Sequence, residues 1–137
     1  MRIVICGSMS VSKQMVEIEK YLREQGHEVV IPENADKYAS GEFQAEDSHE
    51  STKNKIEYDL IRKYYLTIKD ADAVIVVNYD KGSIKNYIGG NSYLEAGFAH
   101  VLNKKLYFLN DIPDMIYGDE LKALQPIILN GDLSKIK

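Results

Sequence analysis

The chain has 137 residues, a single cysteine and no tryptophan. A lone thiol, Cys6, excludes an intramolecular disulfide and fits a reducing compartment. No apolar run approaches the roughly 18 residues that mark a membrane span. Met1 and Arg2 lead straight into a strand-like segment without the pattern of a signal peptide, so a cytoplasmic protein with no membrane partner is expected. His49 and His100 have no cysteine or second histidine at ligand spacing, so no metal site is expected. Lys and Arg number 17 against 21 Asp and Glu and are scattered, which argues against nucleic acid as a partner. Neither a repeat nor a linker interrupts the chain, and one domain over 1–137 is the expectation.

What is present is an alternation of short β-branched runs and helical periodicity. Arg2 to Cys6 reads as a buried strand, followed by the small-residue turn Gly7-Ser8-Met9-Ser10. Val11, Met15, Ile18 and Leu22 then share one helix face, Gly26 is a C-cap, and His27 is a solvated residue at the helix end. Glu28 to Ile31 is a second strand, stopped by Pro32. From Glu33 to Thr52 there is no periodicity, and six acids face Lys37, which predicts a long loop and a candidate mobile lid at 33–52. Lys53 to Lys69 reads as one helix with Ile56, Leu60, Ile61, Tyr64 and Ile68 inward.

Ala73 to Val77 is too short for a helix and apolar throughout, a central strand buried on both faces. A polar loop ending in Gly89-Gly90-Asn91-Ser92 leads to a helix over Tyr93 to Asn103, with Leu94, Phe98, Val101 and Leu102 as its apolar face. Leu106 to Leu109 is the next strand, Tyr117 to Leu124 a short helix, and Ile127 to Leu129 the last apolar run. The whole predicts a doubly wound α/β sandwich, Rossmann- or flavodoxin-like, with a five-stranded, mainly parallel sheet in the order 2-1-3-4-5. Cys6, Val30, Ile75 and Phe108 are expected in its core. The switch point falls between strands one and three, where the loops holding Gly7 to Ser10 and Asn78 to Asn91 meet in a crevice.

Glu95 is the carboxylate nearest that crevice, placed by this reading in the first turn of its helix. Two readings compete for it: a capping box with Ser92, in which each side chain satisfies the other's backbone donor, and a catalytic carboxylate beside an anion-friendly glycine-rich loop. Lys81 and Lys85 are candidate phosphate partners, and Tyr79, Tyr87 and Tyr93 candidate base-stacking surfaces. Asp72 reads as a turn or cap residue and Cys6 as packing.

Three segments carry a resemblance. Cys6-Gly7-Ser8, then Asp72-Ala73-Val74-Ile75-Val76, then Glu95-x-Gly97-x-Ala99 are similar to the turn, the strand and the nucleophile helix of the nucleoside 2-deoxyribosyltransferase family, within it the 2′-deoxynucleoside 5′-phosphate N-hydrolases. The resemblance implies cleavage or transfer of the N-glycosidic bond of 2′-deoxynucleosides or their 5′-monophosphates, with Glu95 as nucleophile and no cofactor. The meeting of the two loops and the helix start at the switch point puts Gly7, Ser8, Met9, Asn78, Gly89, Gly90, Asn91 and Ser92 around the substrate. Tyr64 stands where the family carries an aspartate that assists the departing base, and a phenol with an ordinary pKa near 10 is a weaker acid at neutral pH. The resemblance also implies a homodimer or dimer-based oligomer, each pocket completed from the partner's 110–120 stretch, with Asn110 and Asp119 as candidates. Two alternatives keep the crevice without the chemistry: a non-catalytic nucleotide-binding or sensor module, and an FMN-binding flavodoxin-like protein using the hydroxyl-rich turn Gly7 to Ser12.

Overall fold

The computed structural model describes residues 1–43 and 48–137. Strands β1 (Arg2–Cys6), β2 (Glu28–Val30), β3 (Ala73–Val76), β4 (Lys105–Phe108) and β5 (Ile127–Ile128) form one sheet in the order β2-β1-β3-β4-β5. Every neighbouring pair is parallel, as strands joined by crossover connections are. The connecting helices are α1 (Ser12–Glu24), α2 (Ala35–Ala39), α3 (Ser48–Glu57), α4 (Leu60–Lys69), α5 (Gly90–Val101) and α6 (Gly118–Ala123). Among the described residues, no helix is long and apolar enough to cross a membrane.

The period-two alternation of a strand sorts the core into two layers. Ile3, Ile5, Ala73, Ile75 and Tyr107 face α1, meeting Met15, Ile18 and Leu22. Val4, Cys6, Val74, Val76, Leu106 and Phe108 face the other side and meet Ile68 of α4 and Ala96 and Ala99 of α5. Consequently β1 is followed by a helix on one face and β3 by a helix on the other. Between them the sheet opens the expected crevice at its carboxyl end. Cys6, Ile75 and Phe108 are buried, while Val30 is only partly so.

Several local expectations are corrected. The supposed loop contains α2 and the start of α3; residues 44–47 of the lid proposed at 33–52 lie outside the described residues. The single helix expected over 53–69 is two, broken at Asp59, whose backbone adopts a left-handed φ of 52°. That break turns the register: Ile68 is fully buried, but Ile56 and Ile61 are exposed. Helix α5 begins at Gly90, three residues early, and its buried face is Ser92, Ala96 and Ala99. Leu94 and Val101, expected inward, point to solvent, Val101 with 75% of its surface exposed. Small residues let α5 lie close on the sheet, and they outweigh the larger apolar side chains in setting its rotation. His27 is half-buried rather than solvated, its Nδ1 3.1 Å from the amino terminus. Asp72 caps β1, accepting the Arg2 backbone N–H at 2.8 Å.

Candidate active site

The crevice is lined by Ser8, Ser10 and Val11 from the first turn, Val76, Val77, Tyr79, Lys81 and Tyr87 from β3 and its loop, and Gly89 and Ser92 at the start of α5. Gly7 lies at the tight approach of the two loops. A Cβ there would stand 3.0 Å from Met15 Sδ and 3.3 Å from the Val77 carbonyl. The Ser8 hydroxyl accepts from the Ser10 backbone N–H and from the Ser10 hydroxyl at 3.0 Å, which leaves its own proton to donate. Gly89 is the N-cap of α5 and offers no side chain, so first-turn N–H groups of this helix lack a capping oxygen.

The β3–α5 loop folds over the crevice. Lys81 and Ile84 exchange both backbone hydrogen bonds, and the Asn86 N–H reaches Asp80 Oδ1 at 2.9 Å. Lys81 Nζ sits 5.2 Å from the Tyr87 ring centre, a cation–π contact. At the loop's end the Tyr117 hydroxyl donates to the Ile88 carbonyl, and its ring stacks on Tyr93 with centroids 4.6 Å apart. Burial, together with Tyr87 and Tyr93, pushes the Tyr117 phenol up, so it stays a donor. The free volume left beneath this roof is about 10 Å³. Sites that enclose small ligands run to about 300–1,000 Å³, so the crevice as it stands is too shallow to enclose one.

Glu95 lies in the second turn of α5, one turn beyond Ser92. No capping-box bond is present, since the helix starts at Gly90 and no side chain caps it. Instead, the Cys6 thiol at the end of β1 donates to Glu95 Oε2 at 2.8 Å. Burial raises the Glu95 carboxyl from 4.5 to about 7, while the thiol's hydrogen bond pulls the other way. Cys6 itself is pushed well above its ordinary value by burial, then by the carboxylate's charge and hydrogen bond, so it remains a protonated donor. A carboxyl group near neutrality at a switch point is suited to nucleophilic or proton-transfer work at physiological pH.

Neither Glu95 nor Gly7 is among the residues that line the crevice, and the other sequence-predicted residues divide. Ser8, Gly89 and Ser92 line the crevice; Gly90 and Asn91 are exposed at the helix start, and Met9 is half-buried against the α1 layer. Asn78 is not among the lining residues. Its side-chain amide donates to the carbonyls of Asn110 and Asp111, each at 3.0 Å, and its oxygen accepts the Asn110 N–H at 2.9 Å. Tyr64 is half-buried on α4 and also does not line the crevice. Lys85 is exposed on the loop. Ser10 and Val11 were not singled out from the sequence for this role. Only the hydroxyl-rich character of the first turn hinted at Ser10.

No protein-family model matches the chain, and no curated protein matches it. Among solved structures, it is similar to the Clostridium botulinum CMP N-glycosidase BcmB. The identity is 19%, with a TM-score of 0.53 over 95% of this chain and 90% of that one. The likeness is one of fold. It spans nearly the full length of both chains, and the five-stranded order described above is the architecture it reflects.

Proposed function

We propose that the chain cleaves the N-glycosidic bond of a 2′-deoxynucleoside or its 5′-monophosphate, with Glu95 as the nucleophile. The observation that carries this reading is the Glu95 carboxyl group itself, raised to about 7 by burial and held by a thiol rather than by a cation. In the reaction a Glu95 oxygen bonds to C1′ as the C1′–N bond breaks, and its electron pair leaves with the base, which takes up a proton. Water then hydrolyses the glycosyl ester, or a second base displaces it. Ser8, Lys81 and the uncapped start of α5 supply donors for a phosphate or sugar hydroxyl. Tyr64, half-buried on α4, is assigned the protonation of the departing base, which otherwise draws its proton from water. The name of the C. botulinum structure, a CMP N-glycosidase, supports a nucleoside monophosphate as substrate.

The test is chromatographic release of free base from ribo- and deoxyribonucleoside monophosphates across pH. Because the attacking carboxylate must be ionised, the rate is expected to rise from about pH 6 to about pH 8 and then level. A rate that is flat or falling over that interval rejects Glu95 as nucleophile. Tyr64, standing where the family carries an aspartate, favours one second reading, a nucleotide-binding module without turnover. Calorimetric binding with no base released from any nucleotide would select it.

A homodimer belongs to the same proposal. Ile61 and Leu66 on α4 and Leu94 and Val101 on the adjoining α5 are exposed apolar side chains. Exposed apolar side chains on two packed helices suit an association surface, and two-fold dimers are the commonest assemblies. Light scattering at micromolar protein is expected to give twice the chain mass; a monomer rejects the dimer.

A further inference from the structure

The polar partner of Glu95 comes from another strand, 89 residues away in sequence. Cys6 is the last residue of β1, in register with Val76 on β3, and has 0% of its surface exposed. Around the pair the sheet turns Val74, Val76, Leu106 and Phe108 to the same layer, and α5 adds Ala96 and Ala99. From α4 comes the buried Ile68. Among the described residues, the thiol is the hydrogen-bond partner of Glu95, and no cation is paired with it.

A glutamate side chain turns about several single bonds, and a carboxylate left to sample them meets a reacting carbon only part of the time. A donor fixed on the central part of the sheet removes that freedom. Bonded at Oε2, the group keeps Oε1 without a hydrogen bond among the described residues. We infer that Cys6 is the positioning residue of the site: its thiol holds one oxygen of Glu95 so that the other is presented to C1′. The inference rests on the reading of Glu95 as nucleophile. A protonated thiol is well matched to this task, being a neutral donor small enough for a strand end in an apolar layer. An alcohol keeps the donor. An alkyl side chain does not.

The experiment compares Cys6→Ala, Cys6→Val and Cys6→Ser with the parent chain in two readouts. One is the titration of the Glu95 side-chain carbon by ¹³C NMR, assigned by its loss in Glu95→Gln; the other is the pH profile of base release. In the parent chain the carboxyl midpoint is expected near 7. In Cys6→Ala and Cys6→Val it moves upward, because a donor to the charged form has gone, and Cys6→Ser moves it back. Turnover follows: kcat at neutral pH falls roughly tenfold in the alkyl variants with KM little changed, the acid limb of the profile shifts up with the midpoint, and serine restores both. An unchanged midpoint in folded Cys6→Ala and Cys6→Val overturns the inference and leaves Cys6 as packing. Midpoints that move while no form of the chain releases base uphold the thiol's hold on Glu95 and overturn the proposed reaction instead.

Discussion

Glu95→Gln is expected to abolish base release, by a thousandfold or more on the order expected when the nucleophile of a covalent mechanism is lost. Glutamine keeps the size of the side chain and an oxygen to accept from Cys6, so nucleotide affinity by calorimetry should stay within a few fold. The same substitution should make the chain more stable. The folded-state carboxyl is raised to about 7 from an ordinary 4.5, so the folded chain holds a proton that the unfolded chain releases. Its contribution is therefore fully present below the unfolded value and is lost as pH rises from there through about 7. Above that window the fold carries a buried charge. Since the residue as a whole is only half-buried, roughly 1 to 3 kcal/mol is the expected gain for Glu95→Gln at alkaline pH, and close to none at acid pH. Chemical denaturation of both forms at the two pH extremes checks this. A variant that keeps turnover, or that is no more stable when alkaline, would remove Glu95 from the mechanism.

The second large effect is expected at Asn78. This side chain has 1% of its surface exposed and joins the end of β3 to the end of β4. It donates to the Asn110 and Asp111 carbonyls and accepts the Asn110 N–H, and the Asn110 amide returns a bond to the Asn78 carbonyl at 2.8 Å. Asn78→Ala takes the partner from the Asn110 and Asp111 carbonyls and the Asn110 N–H, which are partly buried, and an unpaired group costs up to about 1–3 kcal/mol where water cannot replace the bond. With some water entering, a net loss of about 2–4 kcal/mol is expected from urea midpoints. A loss below about 0.5 kcal/mol would mean the clamp contributes only shape. The sequence reading put Asn78 among the substrate's neighbours because it follows the central strand. The structure instead gives its side chain to the backbone of the neighbouring loop.

That contrast runs through the molecule. Strands were legible because runs such as Ile3-Val4-Ile5 and Val74-Ile75-Val76 are β-branched and apolar on both faces, which leaves a buried parallel strand as the consistent choice. Helix α1 was legible because its inward residues are large. Helix α5 was not, because Ala96 and Ala99 define its buried face by being small, and hydrophobic spacing gives weight to Leu94 and Val101 instead. The break at Asp59 had no glycine to announce it; an aspartate tolerates the left-handed backbone and conceals the stop. Glu95 stood out in the sequence as the carboxylate that follows the glycine-rich loop, but its contact with Cys6 is a tertiary fact. Nothing local in either segment encodes a partner on another strand, and the local pattern around Ser92 pointed to a cap that does not form.

The Tyr117 hydroxyl on the Ile88 carbonyl, with its ring against Tyr93, ties down the end of the loop that borders the crevice, and under the proposed function that tie governs how a nucleotide is admitted. A ligand larger than the crevice must wait for molecules that are already open or pry the loop upward. In the first case the observed association rate stops rising with ligand concentration once it reaches the frequency of opening. The apparent dissociation constant is then weakened by the open fraction: about one molecule in a hundred open means about a hundredfold weaker capture than the site itself would give. Tight intrinsic recognition and modest measured affinity are therefore compatible in this chain, and loosening the tyrosine latch would raise affinity without adding a single contact to the ligand.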